Sequence, residues 1–208
     1  MLNVRYAKKG VAAFIPHTDI LELINRGIKR AGYTVNRSEG FNPHNRVFMT
    51  LPTPLGVASE SEYVTVDFDE GFDVRGFKER FQTALPPGFT VLSFKESKIN
   101  PNYAKNIVAA EYLIPGLTKA AIDEIKKGFT LGKRQKDGTV VKKEIGDLII
   151  GGEDNKITLP FGSVSVRIVQ FAKEVREAFN LPILLSEIVK LNVFARAADG
   201  SLLNADEL

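Results

Sequence analysis

The chain has 208 residues, with 28 Lys and Arg, 25 Asp and Glu, two His, no Cys and no Trp. Hydrophobic residues make up 44% and charged residues 25%, which is ordinary for a globular protein and excludes a disordered chain, a collagen and a disulfide scaffold. Without Cys the chain has no thiolate for zinc, for an iron–sulfur cluster or for nucleophilic attack, and two His are too few for a multi-histidine metal site.

We therefore expect neither a metal nor a cofactor. The apolar runs of the sequence are far shorter than the ~20 residues that span a bilayer, and the first residues lack the pattern of a signal peptide. These features predict a cytoplasmic protein that has no membrane association.

Positive charge is concentrated in the first quarter of the sequence. Residues 1–50 contain eight basic and three acidic residues, a net charge of +5, whereas the remainder contains 20 basic and 22 acidic residues, a net charge of −2. A second basic cluster comprises Lys126, Lys127, Lys133, Arg134, Lys136, Lys142 and Lys143. Such clusters indicate an anionic partner, most often RNA, although solvated helix and loop faces explain them equally well.

Hydrophobic periodicity in the first hundred residues predicts the element order β-α-β-β-α-β, the ferredoxin-like unit. The predicted strands span 3–15, with a bend at Gly10, and 46–51, 62–68 and 89–94. In the third strand Val64 and Val66 alternate with Tyr63 and Thr65, so we expect one buried face.

Two helices are predicted between these strands. Asp19 can cap the first, with Glu22 three residues later as in a capping box, and Gly32 is a natural stop. Its apolar residues are Ile20, Leu21, Ile24, Ile28 and Ala31, and the cations of its opposite face are Arg26, Lys29 and Arg30. Asp73 can cap the second helix, which ends at Pro86–Gly88 and carries the apolar residues Val74, Phe77, Phe81 and Leu85.

A similar order recurs after a predicted linker at 99–106. Strands are expected at 109–114, 139–145, 156–161 and 189–195, an irregular turn at 151–154, and helices at 119–129 and 163–180. Ile122 and Ile125 mark the apolar face of the first of these helices, and Ser163 can cap the second. We therefore predict an α+β fold of two tandem ferredoxin-like (βαββαβ) halves with antiparallel sheets, residues 1–98 and 99–208.

The segment 36–46, which joins the first helix to the next strand, is the most unusual in the chain. Gly40 and Pro43 restrict its backbone, which predicts an ordered loop. We interpret Phe41 as a core residue rather than a platform for base stacking, because buried aromatic residues are ordinary. The candidate residues for RNA or partner binding are Arg26, Lys29, Arg30, Ser38, Phe41, Asn42, His44 and Arg46.

His17 and His44 are the candidate catalytic residues, because imidazole titrates near neutral pH. In a βαββαβ unit they are expected at opposite ends of the first helix, and they form an acid–base pair only if the 36–46 loop folds back. Simpler interpretations are favoured over catalysis: a hydrogen-bonding residue at the helix start for His17, and loop packing for His44.

Five short motifs lie in order within residues 3–67. They are Ile15–Asp19, Arg26 with Lys29–Ala31, Ser38–His44, Pro54–Gly56 and Ser59–Tyr63. This ordered set resembles the uncharacterised radical SAM-linked proteins, which are encoded beside radical SAM enzymes or fused to them. That family has Pro-Lys after the motif His, whereas this chain has Asn45 and Arg46, which keep the cation and lose the second proline.

The resemblance implies a radical SAM enzyme as partner and an accessory role, with RNA modification as its setting, and it brings no catalytic residues. Because this chain has no Cys, the iron–sulfur cluster of such chemistry would belong to the other protein. The leading hypothesis is therefore an accessory or RNA-binding protein that acts with a radical SAM enzyme.

Two alternatives stay open. Tandem ferredoxin-like halves resemble metal-independent endonucleases that process CRISPR RNA, although Gly151, Gly152 and Gly162 are too sparse to form the glycine-rich loop of those enzymes. A protein-only adaptor is the third hypothesis, and it requires exposed apolar patches that a sequence does not locate.

Overall fold

The computed structural model describes residues 1–98, 100–134, 139–162 and 165–208. The fold is α+β, as predicted, with antiparallel strand pairs and five α-helices in these ranges. The chain divides into two compact units, one formed by Met1–Ile107 with Ala205–Leu208 and the other by Val108–Asn204. None of the helices in the described ranges has the length and apolar character that a bilayer crossing requires.

Among its described residues, the first unit contains four strands and three α-helices. In chain order they are β1 (Leu2–Lys8), α1 (His17–Arg30), β2 (Val47–Met49), β3 (Ala58–Val66), α2 (Phe77–Ala84), β4 (Phe89–Glu96) and α3 (Tyr103–Asn106). Strand β1 lies between β4 and β3, and β2 pairs with β3, so the order is β4-β1-β3-β2 and every one of these pairs is antiparallel.

The first strand is shorter than predicted. It ends at Lys8, and the segment Gly10–Phe14 forms a 3₁₀ turn instead of continuing the strand to residue 15. Gly10 adopts a φ of 57°, and the Lys9 N–H donates to the Gly88 carbonyl at 2.8 Å. The positive φ, which favours glycine, turns the chain out of the sheet rather than bending it.

Helix α1 begins at His17, and the predicted cap at Asp19 is wrong. The N-cap position is held by Pro16, which has no side-chain cap, and Asp19 lies within the first turn. The fixed φ of proline suits this helix start. The predicted stop at Gly32 is confirmed: its φ is 85°, and the N–H groups of Gly32 and Tyr33 donate to carbonyls of the last helical turns.

The predicted one-sided burial of β3 is wrong, because both faces are covered. Val64 and Val66 pack in the core under α1 and α2. On the opposite face the Tyr63 ring lies 4.8 Å from the Tyr103 ring, centroid to centroid, and the Tyr63 hydroxyl donates to Asp206 at 2.8 Å. The predicted linker at 99–106 therefore contains a short helix, α3, whose Tyr103 is buried.

Helix α2 begins later than a cap at Asp73 would place it. Its N-cap is Gly76 in the left-handed conformation, and the Asp73 carboxylate accepts hydrogen bonds from the Arg75 backbone and guanidinium instead. The predicted apolar stripe is confirmed at Phe77 and Phe81, which are buried. Together with neighbouring rings they form an aromatic core cluster: Tyr33, Phe68, Phe72, Phe77, Phe81 and Phe94.

In the part of the second unit that the structure describes there are seven strands and two α-helices. They are β5 (Ile107–Leu113), α4 (Lys119–Lys126), β6 (Thr130–Arg134), β7 (Val140–Glu144), β8 (Gly151–Glu153), β9 (Lys156–Pro160), α5 (Ile168–Phe179), β10 (Val189–Arg196) and β11 (Leu202–Asn204). Strands run in the order β10-β5-β9-β8, with β11 on β10, while β6 and β7 form a separate hairpin.

The predicted irregular turn at 151–154 is corrected to a strand, β8, that pairs with β9. Asn155 takes the tight turn with a φ of 64°, and a Cβ at Gly152 would lie 2.9 Å from the Ile122 side chain, so a glycine fits there. Helix α5 begins at Ile168 rather than near 163, and Ser163 lies outside the described residues. The predicted burial of Ile122 and Ile125 is confirmed.

Candidate interaction surface and cleft of the first unit

The 36–46 segment forms a small hairpin (the 36–46 hairpin). Ser38 and His44 face each other across its stem: the Ser38 N–H donates to the His44 carbonyl at 2.8 Å, and the His44 N–H donates to Ser38 Oγ at 3.1 Å. Arg37 and Asn45 pair as an antiparallel bridge. The tip at 39–43 therefore projects from a stem that backbone hydrogen bonds hold in place.

Phe41 lies at this tip and is fully exposed, so the interpretation as a core residue is wrong. The physical reason is the pairing of the stem, which closes the loop on itself and keeps the tip out of the core. Asn42 and His44 are exposed as well. The hydrophobic effect favours burial of aromatic rings, so a buried ring needs no functional explanation. A solvent-exposed ring on a hydrogen-bonded loop is therefore more informative about function.

Several contacts attach the 36–46 hairpin to the rest of the unit. The Asn45 side-chain N–H donates to Asn25 Oδ1 on α1 at 2.7 Å, and Arg46 Nε lies 2.9 Å from the Asp67 carboxylate. Asn25 follows His17 by eight residues, about 12 Å along the helix axis. The hairpin thus folds back along α1 to its middle, and an acid–base pair of His17 and His44 stays a prediction.

The three predicted cations of α1 are exposed on one surface. Arg26 pairs with Glu22, the Arg30 guanidinium donates to the Ala84 carbonyl, and Lys29 lies in the last turn. Arg26 and Arg30 line an open cleft of about 400 Å³ beside Leu23 and Pro86. These cations and the 36–46 hairpin together are treated as one candidate surface (the α1 surface).

Three exposed apolar side chains form a second feature that sequence patterns did not locate. Val11, Phe14 and Leu55 are 77%, 68% and 59% exposed (the apolar patch). Their two turns touch, because the Gly56 N–H donates to the Ala13 carbonyl at 3.0 Å and a Cβ at Gly56 would lie 3.2 Å from the Phe14 ring. Phe14 belongs to the predicted strand 3–15 and Leu55 to the motif Pro54–Gly56, and neither pattern carries a signal of exposure.

A cleft of about 430 Å³ lies on the face of the β4-β1-β3 sheet that points away from the core cluster (the Asn3 cleft). Its polar and aromatic lining includes Asn3, Arg5, Tyr63, Lys95, Tyr103 and Asp206. Sequence reasoning missed it because its members come from five separate segments, and Arg5 and Asp206 are 201 positions apart. The one local signal was the alternation of polar residues, Asn3 and Arg5, with apolar ones in β1.

Electrostatics of the Asn3 cleft centre on Asp206. Its carboxylate accepts from the Arg5 guanidinium at 2.5 Å and from the Tyr63 hydroxyl at 2.8 Å. Burial raises the pKa of Tyr63 well above its usual value, and the hydrogen bond to Asp206 raises it further. Burial, together with the nearby Asp206 charge, raises the pKa of Tyr103 to about 12. Both phenols are therefore neutral donors at physiological pH.

Within the described ranges, no group of three or more His, Asp or Glu side chains is arranged to hold a metal ion. The cations of the α1 surface can bind an anion, and its aromatic ring can stack on a flat group. The Asn3 cleft offers hydrogen-bond donors.

Comparison with known proteins places the chain in a family. No curated protein matches it. One solved structure that matches is described as an unknown protein from Galdieria sulphuraria; it is 12% identical, the match covers 91% of this chain and 96% of that chain, and the TM-score is 0.27, too low to carry an argument. A family model described as "Uncharacterized protein conserved in bacteria (DUF2344)" matches residues 1–174, and the chain belongs to this family.

Proposed function

We propose that this protein is an accessory, RNA-binding protein that acts with a radical SAM enzyme in RNA modification, and that the α1 surface is its RNA contact. The observation that carries the proposal is Phe41, an apolar ring fully exposed at the tip of a hydrogen-bonded hairpin. Proteins that bind single-stranded nucleic acid stack bases on such rings. An ordered stem supports this role because it holds the ring in place before binding.

The charges beside Phe41 support the same proposal. Arg26, Lys29 and Arg30 are exposed along α1, and the bond between Asn45 and Asn25 fixes the hairpin next to them. Cations that follow a phosphate backbone bind without reading sequence. Glu22 neutralises part of this charge, which favours moderate rather than tight affinity.

The radical SAM partnership rests on the ordered motifs between Ile15 and Tyr63, and on the absence of Cys. We also propose that both units are ferredoxin-like. The strand orders β4-β1-β3-β2 and β10-β5-β9-β8 support this, because β1 lies between β4 and β3 in the first order and β5 lies between β10 and β9 in the second.

The main test is the affinity for a single-stranded RNA oligonucleotide, measured by fluorescence anisotropy. Phe41→Ala should weaken binding about 5- to 150-fold, the equivalent of losing one stacked base, and Phe41→Tyr should restore it. Phe14→Ala, at another exposed ring, is the matched control and should leave affinity unchanged. The absence of RNA binding by the wild-type chain, or equal losses in the two Ala variants, would contradict the proposal.

The salt dependence of binding tests the cations separately. In Arg26→Ala/Arg30→Ala, the slope of log affinity against log salt should become shallower by about 1.4, because each lost phosphate contact on a single strand contributes about 0.7. Lys98→Ala/Lys105→Ala, at two exposed lysines away from α1, should keep the wild-type slope. Identical slopes in both double variants would remove the α1 surface from the interface.

A protein-only adaptor is the second candidate, and the apolar patch favours it. Val11, Phe14 and Leu55 expose more apolar surface together than isolated surface residues usually do. Co-purification from the producing cell, followed by mass spectrometry, should recover a radical SAM enzyme with the wild-type chain. Val11→Ser/Phe14→Ser/Leu55→Ser should lose that enzyme while keeping RNA affinity if the patch is the protein contact.

The endonuclease alternative stays a prediction. Incubation with structured RNA tests it, and cleavage that His17→Ala and His44→Ala both leave intact would remove these residues from the reaction.

A further inference from the structure

The Asn3 cleft is built from two rows of side chains that the strand register places opposite one another. Asn3 on β1 is paired with Thr65 on β3 and with Lys95 on β4. Two residues along β1, Arg5 is paired with Tyr63 and Ser93. Side chains opposite one another in antiparallel strands have Cβ atoms about 5 Å apart, so each row can hold one small group.

The first row contains a buried donor that the protein does not use. Asn3 is 4% exposed, and its Oδ1 accepts from Thr65 Oγ1 at 2.8 Å, which fixes the amide plane. Asn3 Nδ2 is buried and has no hydrogen-bond partner in the described structure. Buried polar groups are nearly always paired, and an exception in a cleft indicates a position that a ligand acceptor can fill.

The second row already holds an oxyanion from the chain itself. The Asp206 carboxylate places one oxygen on Arg5 and the other on the Tyr63 hydroxyl. This contact shows which chemistry the cleft accepts: a planar carboxylate between a cation and a neutral donor. In the adjacent row, the Asn3 amide and the Lys95 ammonium supply a neutral donor and a cation in the same way, and the ammonium already donates a long hydrogen bond of 3.4 Å to the Leu208 oxygen.

We propose that the Asn3 cleft binds the oxyanion of a small organic molecule, a carboxylate or a phosphate, between Asn3 Nδ2 and Lys95 Nζ. With Arg5 and Lys95 against Asp206, the cleft carries a net charge of +1, which favours an anion. The Tyr63 and Tyr103 rings form an apolar wall for the remainder of the molecule. The site is separate from the α1 surface and does not depend on RNA binding.

The Asp206 carboxylate opposes the binding of an anion in the cleft. Its charge lies in the neighbouring row and repels an incoming anion, while its contact with Arg5 lowers the positive field of the cleft. Asp206→Asn removes this charge, keeps one accepting oxygen and raises the net charge of the lining by one. Affinity for an oxyanion should then increase.

The experiment is an NMR titration of the ¹⁵N-labelled chain with sodium phosphate and with sodium acetate, at constant ionic strength set by sodium chloride. The side-chain amide of Asn3 should shift saturably with at least one of the two anions. A shift with phosphate alone assigns a phosphate ligand, and a shift with acetate alone assigns a carboxylate. No saturable shift of that amide with either anion would overturn the proposal.

Variants away from the buried core make the test independent of folding. Lys95→Gln should weaken the titrated affinity about tenfold, whereas Lys98→Gln, at an exposed lysine outside the lining, should leave it unchanged. Asp206→Asn should strengthen it several-fold. Equal effects of the two lysine variants on anion affinity, or a weaker anion affinity in a folded Asp206→Asn protein, would also overturn the proposal. Unaltered RNA affinity in Lys95→Gln separates this site from the proposed RNA contact.

Discussion

The two units share a strand pattern and differ in what fills them. In the first unit, rings of Tyr33, Phe68, Phe72 and Phe77 contact one another between the sheet and its helices. The corresponding interior of the second unit is mainly aliphatic. Its buried residues include Ile114, Ile122, Ile125, Ile157, Leu159 and Val175. One topology is therefore compatible with two kinds of core, because burial of apolar area rather than a particular side chain drives both.

The connection after the first helix of each unit shows the second difference. In the first unit it is the 36–46 hairpin, and in the second it is the longer β6–β7 hairpin, which pairs Thr130 with Glu144 at its base. Both coincide with basic stretches of the sequence, and Lys136 of the second stretch lies outside the described residues. Four strands of each unit share one order, and the segment at this position differs between the units, as surface loops usually do.

The largest expected effect concerns the aromatic core. Phe77→Ala should lower the free energy of unfolding by about 3–5 kcal/mol, because the ring is fully buried among five others. Ile122→Ala in the second unit should cost less, about 2–4 kcal/mol, because fewer atoms are removed. Urea denaturation followed by circular dichroism measures both. A cost below about 1 kcal/mol for Phe77→Ala would contradict the role of the cluster.

Glycines at tight contacts provide a second comparison. Gly88 has a φ of 93°, and a Cβ there would lie 2.7 Å from the Lys9 carbonyl oxygen, so Gly88→Ala should cost about 2–4 kcal/mol. At Gly152 the nearest atom is the end of the Ile122 side chain, at 2.9 Å, which can move. Gly152→Ala should therefore cost about 1–2 kcal/mol. The same denaturation curves decide the order, and a reversed order would show that the first turn yields more easily than its contacts indicate.

The smallest effect is a pH dependence. Hydrogen bonds from the Gly146 and Phe129 N–H groups lower the pKa of Glu144, and the Arg75 guanidinium lowers the pKa of Asp73. Because the folded pKa values lie below the unfolded ones, each stabilisation is complete above about pH 4.5 and is lost as the pH falls through the folded value. Thermal unfolding between pH 6 and about 3 should decline less steeply in Glu144→Gln and Asp73→Asn than in the wild type.

Salt distinguishes the two carboxylates. Asp73 pairs with a charged, exposed guanidinium, so ~1 M sodium chloride should reduce its contribution. Glu144 is held by backbone dipoles at 2.8–3.0 Å, and its contribution should change little. Equal salt sensitivity of both variants would contradict this distinction between the units.

Sequence patterns predicted helices α1, α2, α4 and α5, the succession of elements in residues 1–98 and the stop at Gly32, because periodicity and backbone conformation are local properties. They failed at Asp19, where Pro16 sets the helix start. They also failed at β8, where the turn falls on Asn155 rather than on the glycines. In each case the sequence offered two candidates for one position, the helix start or the turn, and the neighbouring element determined which residue occupies it.

The candidate sites were less accessible to sequence reasoning than the fold. The hairpin residues were recognised as unusual, yet the exposure of Phe41 depends on stem hydrogen bonds that composition does not specify. The Asn3 cleft was missed because strand register, and not sequence proximity, brings Asn3 to Lys95. In related chains, polar residues that alternate with apolar ones in a predicted strand indicate where such a cleft should be sought.

The return of Ala205–Leu208 to the first unit has a consequence for synthesis on the ribosome. Asp206 reaches Arg5, 201 positions upstream, only after the second unit has been made. At about 5–20 residues per second, the roughly hundred residues of that unit take on the order of 5–20 s. Throughout that delay Arg5 and Tyr63 lack the carboxylate that Asp206 supplies in the completed chain.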